Sequence, residues 1–350
     1  MPTLISEQAV NIVGRKPPQR SAPVDKKSGA TLDAQKTGAD GVRYKNKSLT
    51  HSFPVGKISE KVYTLYLFTA SDFVSVLVPQ TLFAFFSCGC GHLFANGSAP
   101  LISSSLARIP SVITWIWLQL LVLATANQRL PDSIVEDKHN KPWRPIPAGR
   151  ITVEGTQKLL LASMYTTLAF AFYMGSTLET LLLFALNWTY NDLKMSDNLL
   201  MRNFLNAAGI TTIGAGAMRV AAGPHSEFDD RTVVHWCLLC ASMIMTTIHA
   251  QDLYDQIGDA ARGRATIPLV YGDSTARWTI AVAVLFWSIL IPLWMGQHPV
   301  ENWRSYVMPL MLGGVVALRV LLLKEVAADK TSFKTWVLWI IYLYGLPMMI

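Results

Sequence analysis

The chain has 350 residues, of which 51% are hydrophobic and 15% charged, with a formal net charge of +7. A soluble domain of this size carries about a quarter charged residues, so the deficit and the mean hydropathy of +0.31 exclude an ordinary soluble protein and indicate an integral membrane one. The basic excess lies outside the apolar runs, and no basic stripe interleaves with aromatics, which argues against nucleic acid and for anionic lipid or an anionic substrate.

Residues 1–60 are polar and rich in Gly, Pro and Ser, and are expected to be a disordered tail ahead of a helical domain over 61–350. The tail lacks the apolar core of a secretory signal. Glu7, Asp25, Asp33 and Asp40 dilute the basic character that a mitochondrial transit peptide needs.

Apolar runs then recur over 66–94, 108–126, 156–175, 177–190, 200–222, 232–251, 275–296, 304–323 and 333–350. Most approach the roughly 20 residues that span a bilayer as a helix, so the expected fold is an all-α integral membrane bundle of about nine transmembrane helices around a central cavity. The first run is interrupted by Pro79. Trp278, Trp303, Tyr306 and Trp336 at run ends suit interfacial belts. Cys88 with Cys90, and Cys237 with Cys240, lie near His92 and His235, but their spacing fits buried packing better than zinc.

Loop charge alternates. Loops after even-numbered runs hold Arg129, Lys138, Lys141, Arg144 and Arg150, then Lys194 and Arg202, then Arg262, Arg264 and Arg277, then Lys324, Lys330 and Lys334. The positive-inside rule makes that face cytosolic and places the N-terminus with it. Three polar segments, 127–150, 190–203 and 252–275, therefore share one side of the membrane.

The first segment reads NQRLPDSIVEDKHNKPWRPIPAGR. Asp132 and Glu136, and Ser133 and Asp137, are four apart and share helical faces. Pro131 removes a donor opposite Asn127 and predicts a kink there, freeing the Asn127 carbonyl and turning its side chain toward a cavity. In the third segment Asp252, Asp255 and Asp259 form one helical stripe, with Arg262 and Arg264 following. Clustered carboxylates repel unless a cation lies between them, and hard oxygen ligands beside Lys and Arg suit Mg²⁺ shared with a diphosphate. Tyr190 and Lys194, read alone, are an interfacial anchor with a snorkelling lysine; their shared face with the acids makes Lys194 a phosphate-contact candidate.

Taken together these segments resemble the UbiA superfamily of intramembrane prenyltransferases. Asn140-Lys141-Pro142-Trp143-Arg144-Pro145 matches the end of that family's first aspartate-rich motif. Asp252, Asp255, Asp259, Gly263, Thr266 and Pro268 match its second, and Tyr190 to Lys194 its Tyr-x-x-x-Lys element. One departure stands out. Counting back from Asp137, the family's central aspartate falls on Ser133 and its leading Asn-Asp pair on Arg129-Leu130, with Asn127 two residues early. The form is similar to fungal members, some of which are membrane-bound terpene cyclases.

The resemblance implies Mg²⁺ held by Asn127, Asp132, Glu136, Asp137, Asp255 and Asp259, leaving open which acid of the first motif binds it. Asp252 joins these as a catalytic candidate. Lys141, Arg144, Tyr190, Lys194, Arg262 and Arg264 are then the diphosphate contacts. It also implies a farnesyl or geranylgeranyl diphosphate substrate and an endoplasmic reticulum membrane with cytosolic active-site loops. Two enzyme readings follow: cyclisation of the allylic cation within its own chain, or transfer of the prenyl group to an aromatic acceptor of a quinone or meroterpenoid pathway. Phe73, Phe83, Phe86, Trp115, Trp117, Phe170 and Trp188 are available as aromatic faces for the cation, and Asp72 is a carboxylate inside the first span. A transporter is disfavoured, because its inverted repeats and mid-membrane charges are missing.

Overall fold

The computed structural model describes residues 57–94, 102–224 and 228–349, all in helices, turns and connecting loops, with no β-strand among them. The expected tail lies outside the described residues except for its last turn, since the first helix, α1, begins at Lys57 (Lys57–Thr69).

The interruption in the first span is a change of helical pitch. After α1 come a 3₁₀ turn at Ala70–Asp72 and a π turn at Phe73–Leu77, and α2 then runs Val78–Gly89. Pro79 has no N–H to offer the Ser75 carbonyl, and its ring clashes with that carbonyl in a regular helix. The widened turn absorbs the conflict, and such turns often accompany functional sites.

α3 spans Ile109–Gln128 and α4 spans Pro131–Asn140. The kink expected at Pro131 is a complete break. Leu130, the residue before proline, is extended (φ −75°, ψ 139°), and Pro131 opens the new helix, where its missing N–H costs nothing. The Asn127 carbonyl is therefore not freed, because it accepts from the Leu130 amide at 3.2 Å.

The remaining long helices are α5 (Val153–Met174), α6 (Thr177–Asn191), α7 (Leu199–Ala222), α8 (Asp230–Thr247), α9 (Asp252–Arg262), α10 (Asp273–Trp294), α11 (Arg304–Leu322) and α12 (Val326–Gly345). A 3₁₀ turn, Ile248–Gln251, joins α8 to α9. Among the described residues five segments are long and apolar enough to cross a membrane: Ser59–Gly89, Ile109–Gln128, Arg231–Arg262, Asp273–Trp294 and Arg304–Leu322.

α7 packs against α2, α3, α6 and α8. It does so through small residues: a Cβ on Gly214 would lie 2.5 Å from Gln80 Oε1, and one on Gly216 would lie 2.3 Å from the Trp115 ring. Such close approach supplies the dispersion contact that holds helices together where lipid offers no hydrophobic advantage. α12 closes the bundle against α2 and α11. Cys88, Cys90 and Cys240 are buried in the packing and Cys237 partly so, with every thiol free.

Trp278 and Trp303 are exposed, but Trp336 is buried, and Tyr306 is buried with its hydroxyl donating to the Gln297 carbonyl.

Candidate active site

The two acidic segments meet because α4 packs along α9. Asn140, the last residue of α4, donates through Nδ2 to the Asp255 carbonyl at 3.2 Å. α9 ends in a Schellman turn, with Gly263 left-handed (φ 77°), its amide on the Ala260 carbonyl and the Arg264 amide on Asp259. That reversal carries the Arg264 guanidinium back to Asp259 Oδ1 at 3.2 Å.

Arginines hold the acids in place. Glu136 Oε2 accepts from Arg262 at 3.1 Å and pairs with Arg264 at 3.3 Å. Asp137 pairs with Arg144 at 2.7 Å, and Asp252 with Arg202 at 2.5 Å. Ser133 accepts from Arg262 at 2.9 Å. Burial opposes ionisation of Glu136, but Arg264, Lys141, Arg262 and Arg144 together hold its carboxyl below the usual glutamate range. At Asp137 burial wins and raises the carboxyl, with Arg144 and Lys141 only partly offsetting it.

These elements surround a cavity of about 210 Å³. Of the residues expected in the site, Asn127, Glu136, Lys141, Arg144, Tyr190, Asp255 and Arg264 line it. Asp137, Asp252, Asp259 and Arg262 sit behind it in the arginine pairs. Asp132 and Lys194 face each other at 2.9 Å, half-exposed, outside the lining. Lys194 adopts a left-handed backbone (φ 56°), and its hydrogen bond and charge hold the Asp132 carboxyl below the usual range.

Further lining residues were not among the expected site residues. Arg202 projects from α7, and Asn187 and Asn206 from the apolar runs of α6 and α7, with Gln251 from the 3₁₀ turn. Their signal in the sequence is polarity within apolar runs. Asp72 lines the cavity from the pitch change of the first span, as its position inside an apolar run suggested. A second cavity of about 390 Å³ shares Asp72, Ser75, Lys141, Gln251, Asp255 and Phe333 with the first. None of the seven aromatics expected around a cation lines the first cavity; Phe333 and Trp336 do so instead. Phe83 packs edge-on to Tyr344 at 4.9 Å, Trp117 donates to Thr69, and Trp188 is exposed.

The donor set suits a hard divalent cation. One carboxylate oxygen of each of Asp137, Asp252 and Asp259 is buried without a hydrogen-bond partner. Asn127 donates through Nδ2 to Asn191 at 2.7 Å, which leaves its amide oxygen as an acceptor. Among the described residues no three His, Cys, Asp or Glu side chains are gathered into one ion site. Carboxylate and amide oxygens are the hard donors that Mg²⁺ takes beside waters and phosphate oxygens.

Comparison with known proteins follows the same line. Residues 84–341 match the UbiA prenyltransferase family. The chain is 31% identical over 235 residues to a fumagillin beta-trans-bergamotene synthase of Aspergillus fumigatus, covering 66% of this chain and 74% of that protein. It is 29% identical over 233 residues to a polyprenyl transferase of Hericium erinaceus, covering 65% and 75%. Its fold is similar to that of a UbiA homolog from Archaeoglobus fulgidus bound to GPP and Mg²⁺, with a TM-score of 0.56 and 12% identity over 81% of this chain and 99% of that one.

Proposed function

The chain belongs to the UbiA prenyltransferase family, and on that premise we propose that it ionises a farnesyl or geranylgeranyl diphosphate and cyclises the resulting cation within the same chain, as a membrane-bound terpene cyclase of secondary metabolism. The observation that carries this reading is the cavity itself. Four cations, Lys141, Arg144, Arg202 and Arg264, and the carboxylates of Asp72, Glu136 and Asp255 face a pocket otherwise walled largely by aliphatic side chains such as Leu120, Leu183, Leu205 and Ile213.

In this reading Lys141, Arg144, Arg202 and Arg264 bind the diphosphate and Tyr190 closes the wall beside them. Asp255 and Asp259, with Glu136, Asp137 and the Asn127 amide oxygen, would hold Mg²⁺. Bound there, Mg²⁺ offsets negative charge building on the leaving diphosphate. Arg262 positions Ser133 and Glu136, Arg264 positions Asp259, and Arg202 positions Asp252. Asp132 and Lys194 form the rim. The C–O bond breaks with its electron pair leaving on the diphosphate, and the cation remains among apolar side chains that exclude water. A double bond of the same chain then attacks it, and proton loss gives a hydrocarbon.

Three observations support cyclisation: the aliphatic wall, the serine in place of the first motif's central carboxylate, and the similarity to a bergamotene synthase. Transfer to an aromatic acceptor is the second reading, favoured by the similarity to a polyprenyl transferase. It shares the diphosphate site and differs in what occupies the rest of the cavity. The proposed setting is the endoplasmic reticulum membrane, with the N-terminus and the acidic segments cytosolic. Incubation with prenyl diphosphate and Mg²⁺, with and without acceptor, separates the two readings.

A further inference from the structure

Phe333 and Trp336 stand one helical turn apart on α12 and both line the cavity. Their rings stack with centroids 5.2 Å apart and planes 18° from parallel. Tyr254 meets Phe333 edge-on, with centroids 5.6 Å apart and planes at 63°. Tyr254 lies between Asp252 and Asp255, so one ring contact joins the stack to the backbone that carries the cavity-facing acid. Trp336 is 2% exposed, which keeps water from its ring.

We propose that Phe333 and Trp336 are catalytic residues whose π faces hold the carbocation left when the diphosphate departs. This rests on the reading that the site ionises an allylic diphosphate. The electron pair of the broken C–O bond leaves with the diphosphate, and the positive charge stays on the isoprenoid. The aliphatic walls do nothing for that charge. A nearby carboxylate would attract it but also trap it in an ester bond. An aromatic face stabilises a cation without forming a bond, most strongly where water is excluded. Phe333 shares both cavities with Asp255 and Lys141, beside the diphosphate end. Trp336 lies about 4.5 Å further along the helix axis, at three residues of rise. The two rings therefore form a track along which the charge moves from the allylic carbon into the chain.

The test is a fluorine series in the full-length protein in lipid nanodiscs, with Trp336 replaced by mono-, di- and tetrafluorotryptophan and Phe333 by mono- to trifluorophenylalanine. Fluorine drains the negative face of the ring and nearly preserves its shape, and thermal unfolding confirms that the fold is kept. Diphosphate release and product composition are measured with farnesyl and geranylgeranyl diphosphate and Mg²⁺. Turnover should fall stepwise with each fluorine, by roughly tenfold or more across the series. Trp336→Leu should divert product to acyclic, water-quenched alcohols, and Trp336→Phe should restore part of the cyclic product. Turnover that ignores fluorine, with wild-type products from Trp336→Leu, overturns the role of the stack alone. Wild-type protein that releases no diphosphate from either substrate overturns the underlying reading. If wild-type turnover requires an acceptor, cyclisation is excluded, and the same series read on the transfer rate tests the stack.

Discussion

The side-chain amide of Asn140 lies directly over the backbone of Gly258: its Nδ2 bonds the Asp255 carbonyl at 3.2 Å, and a Cβ on Gly258 would lie 2.2 Å from that nitrogen. This contact locks the end of the first acidic helix to the middle of the second. Gly258→Ala should push the amide aside and break the bond. Its loss of turnover should match that of Asn140→Ala, at about tenfold for a misplaced site, and the double variant should be no worse than either single one. Additive losses in this cycle would show that the two residues act separately.

Asp255 and Asp259 carry different burdens. Asp255 lines the cavity, and its charged neighbour Lys141 is 3.8 Å away. Asp259 is fully buried and paired with Arg264. Asp255→Ala should abolish turnover while leaving thermal unfolding in detergent nearly unchanged. Asp259→Ala should abolish turnover and also destabilise the fold, by about 1.5–3 kcal/mol, because the buried Arg264 loses one charged partner and keeps Glu136 at 3.3 Å. Near-normal activity in either variant contradicts the metal-site assignment.

Glu136 is held below the usual glutamate range by its surrounding cations against the opposing effect of burial. A carboxyl depressed in the folded state stabilises it above the unfolded pKa, and that contribution is lost as pH falls through the folded value. Thermal stability should therefore drop on acidification from neutral pH through and below the usual carboxylate range. Glu136→Gln should be less stable at neutral pH and show a shallower drop. Parallel curves for the two proteins would assign the acid sensitivity to other groups.

Asp72 sits where the first span changes pitch, lines both cavities, and has no hydrogen bond or ion pair among the described residues. A carboxylate kept inside an apolar span is costly unless it serves the site. Asp72→Asn preserves shape and removes the charge. It should lower turnover by about tenfold or more, a barrier change of at least ~1.4 kcal/mol, with little effect on unfolding temperature. Full activity in this variant would make the residue a bystander.

The bundle was legible in the sequence because apolar run length reports directly on helices in lipid, and the acidic stripes because spacing of three, four and seven survives any packing. Helical phase around the bundle was not. Phe83 and Trp115 looked as available to a cavity as Phe333 and Trp336, and only the close seating of α7 at Gly214 and Gly216 buries the first pair elsewhere. Long-range pairing was equally hidden. Nothing near Asp252 indicates that Arg202, 50 residues earlier, reaches it, or that Asp132 turns out to Lys194 while its neighbour Ser133 turns in to Arg262. At Pro131 the backbone conflict was legible but its resolution was not, since a kink and a restart satisfy the same missing donor.

The most direct measurement of the central claim is product formation without an acceptor. Membranes carrying the protein are given farnesyl or geranylgeranyl diphosphate with Mg²⁺, and the products are separated by gas chromatography. A cyclic hydrocarbon should appear in the absence of any acceptor and vanish in Asp255→Ala. Product that forms only after an aromatic acceptor is added would contradict cyclisation and make the protein a transferase.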